Sequence, residues 1–86
     1  MESNEVIFYP LMTESASLMV ERDNKLIFIV SLKAGKTDIK KAVEELYEVK
    51  VQEINTLITY QGQKKAFVKL KPEFKASDVA IKLGIL

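Results

Sequence analysis

Residues 26–30, Leu-Ile-Phe-Ile-Val, carry no polar side chain between Lys25 and Ser31. Successive side chains of a strand point to opposite faces of its sheet, so this run has no face to give to water. It is expected to form a central strand over 25–32, covered on both sides or nearly so. That demand falls on a chain of only 86 residues, which at this size buries roughly 60–65% of its unfolded surface. One domain spanning residues 1–86 is the expected organisation.

The flanking segments supply the rest of the sheet and its cover. Val6 to Tyr9 is a short β-prone run that Pro10 stops or confines to a sheet edge. Thr13 reads as a helix N-cap with Glu14 in the first turn, and Ala16, Met19 and Val20 share one face. That helix should end near Arg22, because Asp23-Asn24 is turn chemistry. After a turn over 33–36, Thr37 is expected to cap a second helix, with Ile39, Ala42, Val43 and Leu46 at the i, i+3, i+4, i+7 spacing. Residues 51–60 read as a strand and Gln61-Gly62-Gln63 as a tight hairpin loop. Residues 64–71 alternate cleanly, with Ala66, Val68 and Leu70 on one side and Lys65, Phe67, Lys69 and Lys71 on the other. Pro72 ends that strand, Ser77 is expected to cap a last short helix, and Gly84 suits its left-handed end. The order is β-α-β-α-β-β-α, one antiparallel-rich sheet packed by helices.

Composition narrows the chemistry. The chain has no Cys and no His, which removes disulfides, thiolate nucleophiles and the side chain best suited to proton transfer near neutral pH. Gly35, Gly62 and Gly84 are isolated, so no glycine-rich phosphate loop exists, and the serines lack a histidine partner. No catalytic residue, metal ligand or cofactor is expected. Met1 to Glu5 is acidic, unlike a secretory n-region, and no apolar run reaches the ~20 residues of a membrane span. A soluble cytoplasmic protein without membrane insertion is the expectation.

The net charge of +1 is uninformative, but its distribution is not. Residues 1–32 hold five acids against two bases, and residues 33–86 hold eleven lysines against seven acids. One end of the molecule is expected to be much the more positive. Two basic segments stand out. Lys33, Lys36, Lys40 and Lys41 cluster at the start of the second helix, while Glu44, Glu45 and Glu48 lie near its end. This order opposes the helix dipole at both ends. The lysines and the free N–H groups of the helix start suit an external phosphate; a solvated polar face is the plain alternative. In the last strand Lys65, Lys69 and Lys71 flank Phe67, and Lys64 lies at the hairpin beside Tyr60. Ammonium groups hold phosphate and a ring stacks on an unpaired base, although lysines also protect exposed strand edges.

The stretches Thr37 to Val51, Ile54-Asn-Thr-Leu57 and Lys64-Lys-Ala-Phe-Val-Lys-Leu70, with Pro10-Leu-Met-Thr-Glu14 near the N-terminus, closely resemble the large-subunit ribosomal protein family number twenty-three. The short loop at Gln61 to Gln63 resembles the archaeal form. Ser15 departs from the lysine usual in the family. The resemblance implies an α/β (α+β) sandwich with a mixed, mostly antiparallel four-stranded sheet. It implies binding to large-subunit ribosomal RNA at the rim of the polypeptide exit tunnel. Lys33, Lys36, Lys40, Lys41, Asn55, Thr56, Tyr60, Lys64, Lys65 and Lys69 are the expected RNA-binding residues, and Glu14 the factor-docking one. Implied partners are the large-subunit protein numbered twenty-nine, signal recognition particle and the protein-conducting channel. Two rivals are a free RNA-binding module of the RNA-recognition-motif type, whose main motif residues 66–70 imitate only in part, and a protein-interaction module without nucleic acid.

Overall fold

The computed structural model describes residues 3–11 and 13–84. Met12, within the family-like stretch from Pro10 to Glu14, lies outside the described residues. The chain forms a helical turn α1 (Ser3–Val6), then β1 (Ile7–Pro10), α2 (Glu14–Asp23), β2 (Lys25–Val30), α3 (Lys36–Tyr47), β3 (Val51–Ile58), β4 (Lys64–Leu70) and α4 (Ala76–Leu83). Apart from the turn α1, this is the order expected. The strands make one sheet in the order β1-β2-β4-β3. Each neighbouring pair is antiparallel, so the sheet is antiparallel throughout, where the resemblance implied a mixed one. Strands that run parallel are never neighbours: β4 lies between β2 and β3, and β2 lies between β1 and β4.

Register explains why the central strand is apolar on both sides. Leu26, Phe28 and Val30 pair with Val68, Ala66 and Lys64 of β4, which in turn face Ile54, Thr56 and Ile58 of β3. On this face the buried side chains join Ile39, Ala42 and Val43 of α3 and Ala76, Val79 and Ala80 of α4 in one core. Tyr47 closes it, its ring stacked on Phe28 at 5.7 Å between centroids, and burial pushes its phenol pKa up. Ile27 and Ile29 point the other way and are buried as well, outside that core, as is Ala16 of α2. Helix α2 packs against β2, and its N-cap Thr13 borders the same hollow as Ile29 and Lys65. The other buried residue of α2, Val20, belongs to the core with α3 and α4, and α2 also packs against α4. The helix thus reaches from the hollow beside Ile29 to the main core, and both sides of the run 26–30 are buried. Burying side chains of this size stabilises by roughly 1.5–3 kcal/mol each.

Local chemistry sets the ends of the elements. Thr13 caps α2 as expected, its hydroxyl oxygen accepting from the Ala16 N–H at 3.1 Å. Pro10 closes β1 at the sheet edge, as its missing N–H requires. Gly84 ends α4 at φ 78, and Gly62 takes φ 85 in the hairpin loop, the left-handed region open to glycine. Two expected caps move. The second helix starts at Lys36 with Gly35 at the N-cap, so Thr37 lies inside its first turn. The last helix starts at Ala76, and Ser77 does not cap it. Its first N–H is taken instead by the Asn24 side-chain oxygen at 2.7 Å, a partner fifty-two residues away that no local pattern reveals.

Candidate nucleic-acid interface

The loop between β2 and α3 is a tight turn in which Ser31 accepts twice: its hydroxyl oxygen from the Lys33 N–H at 3.2 Å and its carbonyl from Ala34 at 3.1 Å. The turn exposes Lys33 and Lys36 on either side of buried Ala34. Lys64, the first residue of β4, reaches across and donates its ammonium to the Ala34 carbonyl at 2.6 Å. An ammonium carries three donors, so two remain. Three cations from the two basic segments thus surround one loop. Beside them Phe8 and Leu32 are exposed by 58% and 59% and, with Lys33 and Lys64, border a mostly apolar hollow.

At the start of α3 the Asp38 carboxylate accepts from the Gly35 N–H at 3.0 Å. The helix start therefore already holds an acid and is not an empty anion site; what it offers is the exposed ammonium groups of Lys36, Lys40 and Lys41. Lys36 and Lys40 border a hollow against Gln52 and Glu53 of β3. The acids at the other end of α3 have a partial explanation of their own. The Glu44 carboxylate accepts from the Val51 N–H at 2.9 Å, fixing where β3 begins, a use that the charge order of the helix does not disclose.

On the second face of the sheet, Lys65 and Lys69 flank Phe67 along β4, and all three are half-buried. The Lys65 ammonium lies 5.8 Å from the centre of the Phe67 ring, within cation–π range. Asn55 is exposed directly opposite Phe67 on β3. Thr56, one residue on, faces Ala66 on the side of α3, so these two polar neighbours do not share a surface. Tyr60 is 97% exposed in the hairpin loop and borders a hollow with Leu57, Lys65 and Thr13. Glu14, exposed in the first turn of α2, directly follows Thr13. Glu14, an acid of the first third of the chain, therefore follows a residue that shares a hollow with Lys65, a cation of this face. The ten expected RNA-binding residues fall into three groups: Lys33, Lys36 and Lys64 around the loop, Lys40 and Lys41 along α3, and Lys65, Lys69, Asn55 and Tyr60 on the second face, with Thr56 apart.

Among the described residues no His, Cys, Asp or Glu side chains gather to hold a metal ion, and no helix is long and apolar enough to cross a membrane. Residues 5–82 match the family described as Ribosomal protein L23. The chain is also 48% identical over 85 residues to the large ribosomal subunit protein uL23 of Methanococcus aeolicus, a comparison that covers 99% of both chains.

Proposed function

The chain belongs to the Ribosomal protein L23 family, and from that premise we propose that it binds large-subunit ribosomal RNA through the lysines gathered at the β2–α3 loop. As a member of this family it is a structural constituent of the large ribosomal subunit, working on the ribosome in the cytoplasm. The observation that carries the RNA reading is the approach of Lys64 to Ala34 between Lys33 and Lys36. Like charges drawn together repel, and a polyanion threaded among them relieves the repulsion while releasing its own counterions. Lys40 and Lys41 extend the positive surface along α3. Lys65 and Lys69, with Asn55 and exposed Tyr60, offer phosphate contacts, an amide and a ring to a second RNA segment. Thr56 contributes at the β3 edge.

The finer placement follows the same family reading. The protein forms part of the exit-tunnel rim beside the large-subunit protein numbered twenty-nine. Glu14 belongs to a surface on which signal recognition particle and the protein-conducting channel dock. Exposure of Glu14 supports that role. Sedimentation of tagged protein from a gentle lysate tests the whole: it is expected with the large subunit, and recovery wholly in the free pool contradicts it.

A further inference from the structure

Resting on that RNA-binding reading and extending it to a part of the surface where the sequence suggested only Lys69, we propose that Arg22, Lys69 and Lys75 form a second phosphate-binding site for RNA. The three come from distant parts of the chain: the last turn of α2, the strand β4, and the position just before α4. The fold brings them around one hollow, whose wall also includes Asn24, Gln52 and Phe74, with Asp23 as its acid. Arg22 is the chain's only arginine, and its planar fork of donors suits a phosphate better than an ammonium does. Lys25 stands directly opposite Lys69 across the β2–β4 pair, which adds a fourth positive charge nearby.

Two features favour RNA over a free phosphate ion. The first is Gln52, which sits at the irregularity of β3 between Val51 and Glu53 and is exposed on the edge strand. Irregularities of this kind re-aim a side chain, and here Gln52 borders the hollow with an amide that both donates and accepts, which suits a ribose hydroxyl or base edge. The second is continuity. Lys65 and Lys69 lie on the same face of β4, four residues and about 13 Å apart, so the site prolongs a line of cations already present beside Phe67. The Asn24 amide does not compete for the ligand, because it is committed to the main chain at Leu70, Phe74 and Ala76.

The test combines two readouts on the full chain with a large-subunit ribosomal RNA transcript. In the wild-type protein, acylation of Lys69 and Lys75 is measured with and without RNA. In the double variant Arg22→Gln, Lys75→Gln, the salt dependence of binding is measured. Both changes are at exposed positions, and if the variant does not fold, the wild-type acylation decides alone. We expect Lys69 and Lys75 to be protected by RNA and the salt slope of the variant to fall by about 1.4–1.8. Salt-dependent binding by the wild type with Lys69 and Lys75 still reactive, or an unchanged slope in a folded variant, overturns this site and leaves the proposed function standing. Protection of Lys75 only in assembled subunits, and never on naked RNA, assigns the hollow to an acidic protein neighbour and overturns the RNA assignment. No salt-dependent RNA binding by the wild type overturns both readings.

Discussion

The Lys64 ammonium donates to the Ala34 carbonyl at 2.6 Å, tying the first residue of β4 to the loop that carries Lys33 and Lys36. The bond is charge-assisted and half-buried, and bonds of this type contribute about 1.5–3 kcal/mol. Lys64→Met keeps the aliphatic stem and removes the donor, so it should lower unfolding stability by about 1–2 kcal/mol after solvent screening. Urea unfolding measures this. Equal midpoints for variant and wild type would show the bond to be energetically idle.

Asn24 joins three segments. Its amide nitrogen donates to Phe74 at 2.9 Å and Leu70 at 3.2 Å, its side-chain oxygen accepts from Ala76 at 2.7 Å, and its backbone is left-handed at φ 55. Asn24→Ala loses the bonds and incurs the left-handed penalty of roughly 1–2 kcal/mol. With about 0.5–1.5 kcal/mol for each of the three lost bonds, the expected loss is about 3–6 kcal/mol. Asn24→Gly relieves the backbone alone and should recover about 1 kcal/mol of it. If alanine and glycine variants both unfold like the wild type, the side chain is not the staple described.

These two residues also show what the sequence discloses and what it withholds. The four strands, the three longer helices and the cover on both faces of 26–30 were legible, because alternation and helical spacing are local and their period states the element; the turn α1, which takes Val6 from the expected first strand, was not. Glycine at the left-handed end of α4 and the Thr13 cap were legible for the same reason. The long-range partners were not: Asp23-Asn24 reads as a turn, and nothing local says that its amide caps a helix beginning at residue 76. Ser77 was the local cap candidate and loses to it. The candidate site was legible as two basic segments, but their meeting at Ala34 was not, since that depends on β4 lying next to β2. Arg22 was hidden in the acidic third of the chain, and only the packing of α2 brings it to Lys69.

Tyr47 provides a pH-dependent check on the core. Burial raises its phenol pKa above the ordinary 10.0, so between 10 and the raised value the unfolded chain loses this proton while the folded chain keeps it. Stability from this group is complete below pH 10 and declines as pH rises through that window. Tyr47→Phe keeps the ring on Phe28 and removes the titration. The variant should match the wild type within about 0.5 kcal/mol at pH 7 and lose less stability above pH 10. Parallel alkaline profiles would contradict the half-buried, neutral phenol.

Glu14 separates docking from helix electrostatics. An acid in the first turn stabilises its helix by ~0.3–1 kcal/mol without any partner, so Glu14→Lys should cost about that much in the free protein. Under the docking reading, the variant still enters large subunits while signal recognition particle binds the reconstituted ribosomes more weakly, most clearly at low salt. Unchanged cosedimentation of the particle across a salt series removes Glu14 from the docking surface.

The central claim is that the lysines gathered at the β2–α3 loop hold ribosomal RNA, and the salt dependence of binding to a large-subunit ribosomal RNA transcript tests it most directly. Lys33 and Lys36 are exposed, so Lys33→Ala, Lys36→Ala can be made without disturbing the core. Each phosphate contact contributes about 0.7–0.9 to the slope of log affinity against log salt. The account predicts weaker binding at low salt and a slope reduced by about 1.4–1.8 in the double variant, with thermal unfolding unchanged. Affinity and slope equal to those of the wild type would make these lysines a solvated surface and contradict the claim.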